Sequence, residues 1–174
     1  MATRLLDAGY AVAIRNRTPE KCIPLGKLGA RLADSVADAV EDADIVLTSL
    51  AGADAIETVY FGDAGVVPNA PQGSLIVDLS SVSPDIAREN HRRINAAGYA
   101  HLDAPVTGGV SGAEAGTLSI LVGGSKDNLQ RARAVLEVLG NPFHLGDEGA
   151  GQVCKLVNQT IVHIFIGGVA EGMM

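Results

Sequence analysis

Apolar positions along this 174-residue chain switch between two periods, short β-branched runs and longer stretches at helical spacing, with glycine, proline or small polar residues at the switches. Met1 to Ala8 reads as the tail of a helix stopped by Gly9, and Tyr10 to Ile14 as a short apolar strand, so the chain begins inside a repeating unit. Thr18 is placed as an N-cap with Pro19 at the first helical position, which predicts a helix running to about Gly29. A short helix over Asp34 to Ala43, a buried strand over Asp44 to Leu50 and a helix from Ala53 to Tyr60 come next. After a Gly- and Pro-rich turn at 68–73, the pattern predicts a strand over Leu75 to Leu79 and a charged helix capped by Ser83-Pro84 and ending near Gly98. Strands over Tyr99 to Leu102 and Thr117 to Val122, a helix over Lys126 to Leu139 and a last short strand over Phe143 to Leu145 complete the series. Alternation of this kind predicts an α/β domain with a mostly parallel sheet and helices on both faces, in which ligands bind beyond the carboxyl ends of the strands.

From Gly151 the pattern changes. Val153, Leu156, Val157, Thr160, Ile161, Ile164 and Phe165 recur at helical spacing, and the run continues to Met174. The helix they predict is apolar on more than one side, a surface that needs either a following domain or a subunit interface to cover it.

Composition narrows the class. Hydrophobic residues make up 47% of the chain with no tryptophan, so the core is built from Val, Ile, Leu and Ala, as suits buried parallel strands. A net charge of −7 argues against attraction to nucleic acid phosphates or anionic membranes, and points to a small-molecule partner. Cys22 and Cys154 are far apart in sequence, with no metal-ligand spacing, so no metal site is proposed and a reducing cytoplasm is the simplest compartment. The stretch from Ile161 to Ala170 is short for a bilayer span and is interrupted by His163 and glycines, so a soluble protein is expected.

Two elements carry candidate chemistry. Lys155 and Asn158 lie three residues apart on one face of the long helix, an ammonium donor beside an amide, which is the minimal kit for protonating a carbonyl oxygen. A lone lysine is usually a solvated charge, but Val153, Cys154, Leu156 and Val157 around this one are apolar, so the cation is either paired or working. Upstream, Asp103-Ala104-Pro105-Val106-Thr107-Gly108-Gly109 runs from a strand end into a hydroxyl and two bare amides, which suit a carboxylate or else form only a tight turn. Asn16, Arg17 and Thr18 follow the first visible strand, where an acidic residue would select NAD and Asn, Arg and Thr favour the 2′-phosphate of NADP; taken alone, Arg15 and Arg17 read better as ordinary surface cations with Thr18 as a helix cap. Ser80 and Ser81 end a buried strand and can meet the nicotinamide side of a cofactor, though backbone capping explains Ser83 and one of these two. Gly149-Ala150-Gly151 looks like the opening of a dinucleotide fingerprint, but Cys154 stands at the third glycine position and no acidic residue ends a following strand.

These segments, with Asp78-Leu79-Ser80-Ser81, Gly116-Thr117-Leu118, Val122-Gly123-Gly124 and the run from Gly149 to Gln159, resemble the β-hydroxyacid dehydrogenase family in order over essentially the whole chain. Members include 3-hydroxyisobutyrate dehydrogenase, tartronate semialdehyde reductase and glyoxylate/succinic semialdehyde reductase. The resemblance implies a Rossmann-like fold of the 6-phosphogluconate dehydrogenase type and NADP-dependent hydride transfer, NAD being the less favoured cofactor, with a short β-hydroxy acid or its semialdehyde. It assigns Lys155 as general acid/base and Asn158 to orienting the substrate or the lysine. Thr107, Gly108 and Gly109 would hold the substrate carboxylate, Leu50 and Ala51 would line the nucleotide crevice, and Ser81 would touch the cofactor near the nicotinamide. Lysine at the catalytic position separates the chain from the related imine reductases.

Relative to that family, the sequence is expected to lack the opening strand and its Gly-x-Gly-x-x-Gly loop, and to stop within the helix that leads to an all-α domain and usually a homo-oligomer. Residues 1–148 would then be an incomplete NAD(P)-binding domain and 149–174 the first part of the interdomain helix. The rival readings are a non-catalytic remnant of a cofactor domain and a protein-binding module with the same fold.

Overall fold

Elements near the amino terminus are short. In the computed structural model, which describes residues 1–174, helix α1 (Ala2–Asp7) leads into a two-residue strand β1 (Ala13–Ile14). Where one helix was predicted from Thr18, there is a 3-10 turn over Pro19–Lys21 and a single turn of α-helix, α2 (Ile23–Gly26). Pro24 has no N–H to offer the Glu20 carbonyl, so a continuous helix is interrupted there. Thr18 occupies the N-cap position but its side chain caps nothing; instead its own N–H donates to Asn16 Oδ1 at 2.9 Å. An unpredicted strand, β2 (Arg31–Leu32), pairs in parallel with β1.

Helix α3 (Val36–Val40) is capped by Ser35, whose Oγ accepts the Asp38 N–H, and leads to β3 (Ile45–Thr48). Helices α4 (Ala53–Phe61) and α5 (Val66–Asn69) connect it to β4 (Leu75–Asp78), and α6 (Pro84–Ala96) connects that to β5 (Ala100–Asp103). The three strands are parallel and in register, with Thr48, Asp78 and Asp103 aligned across their carboxyl ends. After Pro105 the chain bends into β6 (Val106–Thr107) and α7 (Gly109–Ala115), neither of them predicted, then into β7 (Leu118–Gly123), α8 (Lys126–Leu139), β8 (Gly140–Gly146) and α9 (Ala150–Gly172). Strand β7 runs antiparallel to β5 and β6 along one edge and parallel to β8 along the other. The sheet is therefore mostly parallel, with two strands, β7 and β8, running opposite to β3–β6, and no strand pairing joins it to the β1–β2 pair.

Both faces are covered, as the alternation along β4 requires. Leu75 and Val77 point into a cluster with Leu102, Ile120 and Leu136 of α8, while Ile76 points into a second with Ile56, Tyr60 and Ile94 of the opposite helices. Each fully buried side chain of this kind is worth about 1.5–3 kcal/mol relative to exposure. Helix α9 departs from this pattern. Its first turn is buried at Gly151 and Gln152, but every residue from Thr160 onward is exposed. At 23 residues, with an 18-residue window of mean hydropathy 1.4, it is long and apolar enough to cross a membrane by length and composition, yet it also carries Lys155 and Asn158 and starts inside the domain.

Candidate active site

Helix α9 lies across the carboxyl end of the sheet beside β6. Lys155 Nζ donates to the Val106 carbonyl at 2.8 Å, and one turn further Asn158 Nδ2 donates to Thr107 Oγ1 at 3.4 Å. The two candidate segments, about 50 residues apart in the sequence, thus form one surface. Partial burial lowers the Lys155 ammonium below its ordinary value, and no carboxylate lies within ion-pair distance to hold it charged. Gly108 and Gly109 follow with φ of +130° and +63°, a backbone path that side chains disfavour, and turn the chain into α7.

The other predicted residues sit along the carboxyl ends of β1, β3 and β4. Leu50 is partly buried and donates its N–H to Ser80 Oγ at 2.8 Å, Ala51 is exposed just before α4, and Ser81 is exposed in the loop between β4 and α6. Of the adjacent serines, Ser80 is the structural one and Ser81 is free to face a ligand. Asn16, Arg17 and Thr18 are exposed at the end of β1, and no hydrogen bond links them to the Lys155 group.

Sequence reasoning missed the buried polar residues beneath this surface. Asp103, the last residue of β5, accepts the Gly149 N–H at 2.7 Å on Oδ1 and the Gln152 N–H at 3.0 Å on Oδ2. Burial, opposed by those two N–H groups, pushes its carboxyl above the usual carboxylate range. Gln152, fully buried, donates from Nε2 to the Ser80 carbonyl at 2.8 Å and accepts the Val82 N–H at 3.1 Å. Asp78, also raised by burial, accepts from Thr48 Oγ1 at 3.2 Å and from the Ser80 N–H at 2.9 Å, and the Tyr60 hydroxyl is hydrogen-bonded to Thr48 Oγ1. A carboxylate ending a strand was the available signal for both aspartates, the rest of the strand being wholly apolar for Asp78 and interrupted by His101 for Asp103. His163 is exposed, and its ring nitrogen lies 2.6 Å from the Gln159 carbonyl. His101 of β5 is fully buried.

Parallel strands with exposed small residues at their carboxyl ends, joined by helices on both faces, fit a dinucleotide-binding α/β fold. The chain belongs to the family of the NAD binding domain of 6-phosphogluconate dehydrogenase, whose profile matches residues 1–157. It is 41% identical to 3-hydroxyisobutyrate dehydrogenase and 40% identical to NAD-dependent L-serine dehydrogenase, both from Pseudomonas aeruginosa, over 99% of this chain and 58% of each relative. A solved structure of Mycobacterium tuberculosis 3-hydroxyisobutyrate dehydrogenase with L-serine superposes with a TM-score of 0.90 at 35% identity, covering 98% of this chain and 58% of that one. The chain therefore spans little more than half the length of the proteins it matches.

Proposed function

We propose that this chain supplies the cofactor domain, residues 1–148, and the lysine-bearing helix, 149–174, of an NADP-dependent oxidoreductase acting on a short β-hydroxy acid or its semialdehyde. The observation that carries this reading is the seating of Lys155 at Val106 with Asn158 at Thr107. The names of the two Pseudomonas relatives support the substrate class, since 3-hydroxyisobutyrate and serine are both carboxylates with a hydroxyl on the carbon β to the carboxyl group.

The residues fit a dinucleotide in two places. Exposed Ser81 would meet the nicotinamide end, Leu50 and exposed Ala51 would line the nucleotide crevice, and exposed Asn16, Arg17 and Thr18 offer donors and a cation, with no carboxylate among them, to a 2′-phosphate. When bound, the nicotinamide supplies or accepts the hydride. Thr107 and the amides of Gly108 and Gly109 hold the substrate carboxylate, and Asn158 orients the lysine or the substrate. In reduction, Lys155 gives a proton from Nζ to the carbonyl oxygen. In oxidation, neutral Lys155 takes the hydroxyl proton, and the burial that lowers its pKa enlarges the neutral fraction. The outward apolar face of α9 supports a homo-oligomer.

Nicotinamide fluorescence during titration of NADPH and then NADH into the purified chain tests the reading. Saturable binding, tighter for NADPH, supports it, and a preference for NADH would make NAD the cofactor. A second reading, a domain that keeps the fold without turnover, is favoured by the break in pairing between β1 and β3, and absence of binding by either nucleotide would select it. In a full-length protein carrying this segment, Lys155→Ala is expected to leave NADPH affinity nearly unchanged while slowing semialdehyde reduction by about 10²–10⁴-fold, and equal loss of both would contradict the assigned role.

A further inference from the structure

Beyond residue 160, α9 makes no buried contact, so the position of Lys155 depends on how the first turn of that helix is fixed. We infer that Asp103 and Gln152 are positioning residues for Lys155, a buried clamp that locks the first turn of α9 to the carboxyl ends of β4 and β5. This deepens the functional reading above and rests on it for the role of the lysine.

The clamp has two arms. Asp103 takes one N–H on each carboxylate oxygen, from Gly149 and from Gln152, and sets a negative charge at the positive end of the helix. Helices are usually capped by their own N-cap side chain, but here the N-cap is Gly149, which has none, and the cap comes from 46 residues upstream. A cap of that kind fastens two elements together as well as ending a helix. Gln152 supplies the second arm, bonding to Ser80 O and Val82 N on either side of Ser81. It therefore ties the loop assigned to the nicotinamide side to the helix that carries the amine.

The surrounding glycines are placed to make room. A Cβ at Gly123 would lie 2.5 Å from Asp103 Oδ1, and one at Gly151 would lie 2.8 Å from Asp103 Oδ2 and 2.2 Å from the Leu121 carbonyl oxygen. Gly149 turns into the helix at φ +84°. Lys155 follows Gln152 by three residues, roughly 4.5 Å along the axis at the standard rise, so displacement of the first turn moves Nζ directly. Misplacement by about 1 Å is enough to cost about 100-fold in rate where a reacting group must be aligned.

The test reads Lys155 itself. Competitive acylation with acetic anhydride across pH, followed by peptide mass spectrometry, gives its titration, with Lys21, Lys27 and Lys126 as internal standards. In the wild-type chain Lys155 is expected to titrate below the ordinary lysine value. In Asp103→Asn and Gln152→Met, each confirmed as folded by circular dichroism, its midpoint is expected to rise toward that value. An unchanged Lys155 midpoint in a folded variant would overturn the inference. Should both variants fail to fold, amide hydrogen exchange on the wild type decides: Gly149 and Gln152 must be protected as strongly as β5, and rapid exchange at either overturns the clamp. Failure of the wild type to bind NADPH would sink the functional reading while leaving this comparison interpretable.

Discussion

Alanine at Gly151 should unfasten α9, and the cost can be built from the atoms it would meet. The added Cβ would sit 2.2 Å from the Leu121 carbonyl oxygen, 2.8 Å from Asp103 Oδ2 and 2.9 Å from Asp103 O. Two of these atoms are backbone of the central sheet and the third belongs to a carboxylate engaged in two hydrogen bonds, so the helix must give way. Reaching ordinary contact requires a displacement of roughly 1 Å or more. Overpacking of this kind costs about 1–3 kcal/mol, and each buried N–H parted from Asp103 adds about 1–3 kcal/mol. Alanine's higher helix propensity returns about 1 kcal/mol. With one of the two N–H groups parted, the balance is a loss of roughly 1–5 kcal/mol, whose upper end is exceptional for a single substitution. Gly167→Ala is the control in the same helix: nothing lies within 4 Å of its Cβ, so only the propensity gain, up to about 1 kcal/mol, remains. Urea unfolding followed at 222 nm compares the two through their midpoints at constant slope. Equal shifts in the same direction, or no measurable loss for Gly151→Ala, would refute the close-approach argument.

Three further outcomes are expected. Burial, assisted by nearby His91, lowers the His101 pKa to about 3 from 6.5, so between those values the unfolded chain takes up a proton that the native one refuses, and stability falls as pH drops by about 1.4 kcal/mol per unit. His101→Phe removes that term. Asp78 and Asp103, both raised, act with the opposite sign above the ordinary carboxylate value and are common to both proteins, so the difference between the two acid-unfolding curves isolates His101, and coincident slopes would exclude the effect. Asn16→Asp places a carboxylate at the end of β1 and is expected to lower the NADPH-over-NADH affinity ratio by about tenfold or more, in line with loss of a charged contact of about 1.5–3 kcal/mol; an unaltered ratio would remove residues 16–18 from the cofactor site. Tyr60→Phe deletes the hydroxyl hydrogen-bonded to Thr48 in the core and is expected to cost about 1 kcal/mol by urea unfolding, whereas a stability gain would show that hydroxyl to be a burden.

Elements with strong periodicity and a cap were legible in the chain. Helix α8 spans Lys126–Leu139 as predicted, with Ser125 capping the Asn128 N–H, and α6 starts at Ser83-Pro84 for the same reason. Strands β3, β4 and β5 fall inside or within one residue of the apolar runs that predict them. Failures occur where local sequence carries no periodic signal. Strand β2 has only two residues, both exposed, and exists through pairing with β1. Helix α7 is built from small residues without an apolar stripe, so Gly108-Gly109 reads as the end of structure when it is the start of a helix. The meeting of the Lys155–Asn158 face with the Val106–Thr107 segment was legible because Lys155, Asn158 and Thr107 are chemically conspicuous residues. The bonds from Asp103 and Gln152 cross 46 and 72 residues of chain, and such partners cannot be inferred from spacing.

Gly149-Ala150-Gly151 shows how one sequence pattern can answer two different physical demands. In a phosphate-binding loop, glycines let backbone amides approach an external anion at a helix amino terminus. Here the same geometry exists, but the anion is internal: the Gly149 and Gln152 amides already point at Asp103, and Gly151 is bare because Leu121 and Asp103 occupy the space a side chain needs. A pyrophosphate at this helix end would have to displace a buried carboxylate, so the cofactor's phosphates belong elsewhere along the sheet. The positive end of α9 instead fastens the helix that sets Lys155 over β6, and the glycines that look like a nucleotide motif serve the placement of the amine.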